Sequence, residues 1–112
     1  MAEWVDAATI LRRAGAPTSP SADDLEYAEV CAAAVNAGLD DRLEGSVYVS
    51  PPLPAELVLV AQLAGIEAYK RREAVFGVTG YIDLQGAAVR VARDYLEGSA
   101  PIIARYATRG LG

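Results

Sequence analysis

The chain has 112 residues, 53% of them hydrophobic, which suits one domain with a small core and argues against intrinsic disorder. Its net charge of −5 argues against a protein held to nucleic acid by phosphate contacts. It has no histidine, which removes the commonest general base and metal ligand, and its single cysteine, Cys31, excludes an internal disulfide.

In chain order, Ala2 to Gly15 reads as a short helix. Asp6 can cap its start, Ile10 and Leu11 supply apolar contacts, Arg12 and Arg13 suit the last turn, and Gly15 ends it. Trp4 lies just outside, as a staple at the helix start or an anchor for a partner. No basic–apolar–small signal precedes it, and the expectation is a soluble protein. Pro17 and Pro20 mark a turn or linker, so 1–20 forms a short N-terminal helix plus linker. Ser21, with Asp24 three residues on, opens a long helix from about Ala22 to Leu43. Leu25, Ala28, Ala32, Val35 and Leu39 step by three and four and form its apolar stripe, with Glu26, Glu29, Asn36 and Asp40 away from it. Gly38 is a candidate early end of this helix, because Asp40, Asp41 and Glu44 suit its C-terminus poorly. Cys31 falls in this Ala-rich segment as a core residue. Val47-Tyr48-Val49 has strand character.

Pro54 to Glu73 is the central helix, with Pro54 in its first turn. From Leu57 to Ile66 its only polar side chain is Gln62, and a helix apolar on nearly every side must be covered on nearly every side. Leu57, Val60, Leu63, Ala64 and Ile66 are therefore expected to be buried in the assembled protein. Glu67 pairs by spacing with Lys70 and Arg71. Phe76-Gly77-Val78-Thr79-Gly80 is a sharp stop and lacks the spacing of a P-loop. Residues 75–93 read as a projecting loop, with Tyr81, Ile82, Leu84, Val89 and Val91 on a short β-hairpin or extended arm reaching a neighbouring subunit. Asp94 to Thr108 holds a last helix, interrupted near Gly98, with Ser99 and Pro101 opening its second part. Residues 107–112 read as a flexible tail. The fold class expected is mainly α, a small antiparallel helical bundle with a projecting loop or hairpin.

No constellation for catalysis, cofactor or metal binding is visible. Asp23/Asp24 and Asp40/Asp41 are adjacent on helices and do not face each other. Lys70-Arg71-Arg72 is the one basic cluster and suits a helix C-terminus. Up to Glu56 the chain carries ten acidic and three basic residues, and from Leu57 onward five acidic and seven basic. Such a front and rear can attract one another between copies in a head-to-tail ring, or reflect chance placement of solvated charges.

Several ordered motifs carry a resemblance. Pro54-Ala55-Glu56-Leu57 opens an apolar helix, followed by Tyr69-Lys70-Arg71-Arg72-Glu73, Phe76-Gly77-Val78-Thr79-Gly80-Tyr81 and Gly86-Ala87-Ala88-Val89-Arg90-Val91-Ala92-Arg93. Together, over residues 22–107, they resemble the head-to-tail adaptor (head completion) proteins of tailed bacteriophages that infect actinobacteria, within the wider head–tail connector family. The stretch Glu97-Gly98-Ser99-Ala100 departs from the smoother helix of that family. The resemblance implies a virion protein without enzymatic activity or cofactor, assembled in the host cytoplasm. Its copies would form a homo-oligomeric ring, a dodecamer, between the portal protein and the stopper or tail-side connector protein. DNA would pass through the ring without specific binding, and no membrane would be involved. The family's binding surfaces would fall here on the loop (Phe76, Tyr81, Ile82, Leu84, Val89, Val91) and the C-terminal segment (Ile102, Ile103, Arg105, Tyr106, Arg109). The acidic surplus suits a DNA channel that must not hold DNA. The alternative is a small DNA-binding packaging or regulatory module using Lys70, Arg71, Arg72, Arg90 and Arg93.

Overall fold

The computed structural model describes residues 3–15, 19–44, 46–49, 52–71 and 84–107, and among these the chain is a mainly helical bundle. The helices are α1 (Ala7–Arg13), α2 (Ala22–Arg42), α3 (Ala55–Lys70), α4 (Leu84–Gly98) and α5 (Ala100–Ala107), with a 3-10 turn at Val47–Val49. The first two start on the expected caps. Asp6 accepts a hydrogen bond from the Thr9 N–H at 2.7 Å, and Ser21 Oγ accepts one from the Asp24 N–H at 3.1 Å. Bonds from Thr9, its side chain first and its backbone second, hold the Asp6 carboxyl below its ordinary range. Gly15 takes φ = +82°, the left-handed conformation that lets the chain leave α1. Helix α2 runs unbroken through Gly38 to Arg42.

Helices α2 and α3 are antiparallel. Tyr27, near the start of α2, donates its hydroxyl to the Ala68 carbonyl near the end of α3 (3.4 Å), and its ring lies 5.9 Å from that of Tyr69. At the other end, Ser46 after α2 and Glu56 at the start of α3 both bond Tyr106 of α5. Helix α4 runs parallel to α2, since Leu96 meets Gly38 and Glu97 lies 4.0 Å from Arg42.

The core sits between α2, α3 and α4, closed by α1 and α5. Tyr27, Ala28, Cys31, Val35 and Leu39 of α2 face Leu57, Val60, Ala61, Ala64 and Ala68 of α3, and α4 adds Ala92 and Leu96. Gly65 marks the closest approach. A Cβ there would lie 2.7 Å from Ile10 Cδ1, so α1 rests directly on the α3 backbone.

Three of these expectations are corrected here. Residues 84–98 are helical, so Leu84, Val89 and Val91 belong to α4 and not to a hairpin or loop. The alternation over Val89–Arg93 covers five residues. The longer pattern Val91, Ala92, Tyr95, Leu96 has a helical period, and these four face the core while Arg90, Arg93, Asp94 and Glu97 face out. Phe76, Tyr81, Ile82 and the rest of 72–83 lie outside the described residues, as does the tail from 108. Val47–Val49 is a 3-10 turn and not a strand. The Tyr48 N–H donates to Ser46 Oγ (3.1 Å), so a side chain meets the need that a partner strand would meet. Leu25 leaves the stripe and is 43% exposed, because Tyr27 and Cys31 make the seam with α3. Asn36 and Asp40 are half-buried and bind Trp4.

Trp4 is 2% exposed within its own chain. Asn36 Oδ1 accepts from the Trp4 and Val5 N–H groups (2.8 and 3.0 Å), and Asn36 Nδ2 donates to the Val5 carbonyl (2.9 Å). The Trp4 indole N–H donates to Asp40 Oδ1 at 3.0 Å. One amide side chain thus meets the backbone groups of an extended segment, which would be costly to leave unpaired.

On α3, Leu57, Val60 and Ala64 are buried and Ile66 is half-buried, but Leu63 is 43% exposed in the single chain. Leu57→Ala is expected to cost about 2–5 kcal/mol in chemical denaturation, as a core truncation does. Leu63→Ala in the dilute, unassembled chain is expected to stay within about 0.5 kcal/mol, as surface changes do.

Candidate interaction surface

Two surfaces stand out, one at the C-terminal helix and one on α3. The first is built around Glu56. Its carboxylate accepts from the Tyr106 hydroxyl at 2.8 Å on one oxygen and from Arg105 Nη2 at 2.8 Å on the other. Ser46, buried, donates its hydroxyl to the Tyr106 carbonyl at 2.8 Å. The Tyr48 and Tyr106 rings meet edge to face, centroids 5.2 Å apart, a favoured aromatic geometry. Helix α5 is therefore clamped to the start of α3 and to the turn after α2. Donating to a carboxylate favours the neutral phenol, so the Glu56 bond, and after it burial and the Glu56 charge, raises the Tyr106 pKa above its ordinary 10.0.

The residues expected to form the C-terminal surface divide in two. Ile103 is buried in the core, and Ile102 and Tyr106 are half-buried against it. Arg105 is exposed but held by Glu56. Arg109 lies outside the described residues. Of the loop residues, Val91 packs half-buried against the core. The sequence reading missed Glu56, Ser46 and Tyr48. The signal for Glu56 was weak, a carboxylate in the first turn of a helix, where the helix dipole alone accounts for it.

The second surface is the outer side of α3. At 100° per residue Leu59 and Leu63 lie within about 40° of one another, opposite Leu57, Ala61 and Ala68. Leu59 is 53% exposed, and with Leu63 and Leu25 it completes the exposed large hydrophobic residues among those described. Lys70 lies on the same line and is exposed. Between α2 and α4 runs a third feature, an open groove of about 270 Å³ with an apolar floor of Ala34, Ala37, Gly38 and Leu96 and with Arg42 and Arg93 at its sides.

The basic residues do not make one face. Arg71 is bonded to Glu67 at 2.8 Å at the end of α3, level with the start of α2. Arg93 lines the groove beside Gly38, eleven residues further along α2 than Tyr27, a separation of about 16 Å at 1.5 Å per residue. Among the described residues, no three of His, Cys, Asp and Glu come together as a metal site, and no helix is long and apolar enough to cross a membrane. No protein-family model, curated protein or solved structure matches the chain.

The clamp has a pH signature. A raised Tyr106 pKa contributes stability that is fully present below the unfolded value near pH 10 and is lost as pH rises through the folded value. In thermal unfolding followed by circular dichroism, Tyr106→Phe should therefore lower Tm at pH 8, and the gap to wild type should shrink at pH 11. A gap unchanged between the two pH values would show that the hydroxyl does not act through Glu56.

Proposed function

We propose that this chain is a structural subunit of the head–tail joint of a tailed bacteriophage. Its copies form a ring below the portal that extends the DNA channel toward the stopper or tail. The reading combines the motif resemblance with one structural observation that favours assembly. The central helix is apolar on both sides. Its inner side is satisfied by the core, and its outer side carries Leu59 and Leu63 in water. A helix of this kind, in a chain of this size, is what a subunit needs when a neighbour completes its burial. The separation of Arg71 from Arg93, together with the net charge of −5, favours this over a DNA-binding module.

In this reading the C-terminal segment docks on the portal. The clamp on Glu56 fixes the end of α5, up to Ala107, against the start of α3. Holding a chain end on a partner costs entropy, which its contacts must exceed. Arg109 facing a portal carboxylate would supply a charge-assisted bond. Truncation after Ala107 tests this. The full chain should be pulled down by the cognate portal, and the shortened protein should keep its helicity and lose that pull-down. Portal binding retained by the shortened protein would move the docking surface elsewhere, and a full chain that binds no portal would remove the reading.

A further inference from the structure

The two exposed apolar sites lie on different sides of the bundle and carry opposite charge. On α2, Leu25 shares an arc of about 100° with Glu26 and Glu29, all exposed. Tyr27, which packs on α3, lies about 160° around the helix from Leu25, so this acidic site points away from α3. On α3, Leu59 and Leu63 lead along one line to Lys70, opposite Ala68, whose carbonyl bonds Tyr27. This site points away from α2. Neither surface is complementary to itself, but each is complementary to the other.

We propose that these two surfaces form the copy-to-copy contact, with Leu25 of one subunit seated on Leu59 and Leu63 of the next and Glu29 paired with Lys70. The inference rests on the ring reading and deepens it. A contact between two different surfaces is heterologous, and repeated by a rotation that closes, it makes the ring of the reading above. The spacing agrees if the two helices run in the same direction. Lys70 lies about 10.5 Å beyond Leu63, and Glu29 about 6 Å beyond Leu25, at 1.5 Å per residue. The difference of about 4.5 Å is within the reach of a lysine side chain on its four-carbon stem. The apolar part supplies affinity, and the charges set the register and exclude a like-on-like pairing.

The test uses the full chain and three samples: wild type, Glu29→Lys and Lys70→Glu. Both positions are exposed, so circular dichroism should be unchanged. Wild type should give rings in sedimentation and native mass spectrometry at high concentration. Each single variant places like charges together and should weaken the contact about tenfold or more. An equimolar mixture of the two variants should restore rings, now alternating, because each faces the opposite charge on its neighbour. Rings that survive either reversal would overturn this contact and leave the ring reading standing. Two variants that fail alone and also fail when mixed would overturn the Glu29–Lys70 pairing. A wild-type chain that stays monomeric would remove the ring reading and the contact with it.

Discussion

The fold depends on how closely other helices can approach α3. Its inner side is built from small residues, Ala61, Ala64, Gly65 and Ala68, that follow the larger Leu57 and Val60. Small side chains bring neighbouring backbones near, and close packing is what a small core needs, since each apolar side chain taken fully from water contributes only about 1.5–3 kcal/mol. Gly65 shows the limit. Ile10 occupies the place of its Cβ, so the contact between α1 and α3 is set by the absence of a side chain. With α3 filled on that side, α2 and α4 take the remaining inner arc. The outer arc, with Leu59 and Leu63, is left uncovered by the described part of the chain.

Polar groups then fix what apolar packing leaves undecided. Asn36 holds the segment before α1 by its backbone, and Asp40 takes the indole N–H of Trp4 on one oxygen. The other oxygen, Oδ2, is buried with no hydrogen-bond partner among the described residues. Glu56 plays the same part for the last helix by joining α3 to α5. Each is a side chain on a long helix that ties down a short terminal element, and short elements need such ties because helices of one or two turns are marginal alone.

The sequence made some of this legible and hid the rest for physical reasons. The caps at Asp6 and Ser21 act over three residues, and local chemistry of that kind can be read from a single stretch. The long stripe of α2 and the centrality of α3 were legible because burial follows the helical period. The start of α4 was misread because Val89–Arg93 alternates like a strand over a window too short to separate two periods from three and a half. The Trp4–Asn36–Asp40 and Glu56–Arg105–Tyr106 groups join residues more than thirty positions apart, and no spacing rule reaches across such a gap. Leu63 looked like core because an apolar residue on an apolar helix has no pattern to say which side faces inward.

The central claim is that this chain completes its burial, and performs its task, only as one of many copies arranged around a channel below a portal. Imaging of the purified full chain mixed with the cognate portal, viewed along the channel axis, tests this most directly. The account predicts a second ring of density stacked coaxially on the portal, with a continuous central opening and a whole number of subunits. Portal particles without added density, beside a chain that remains monomeric in the same sample, would contradict it.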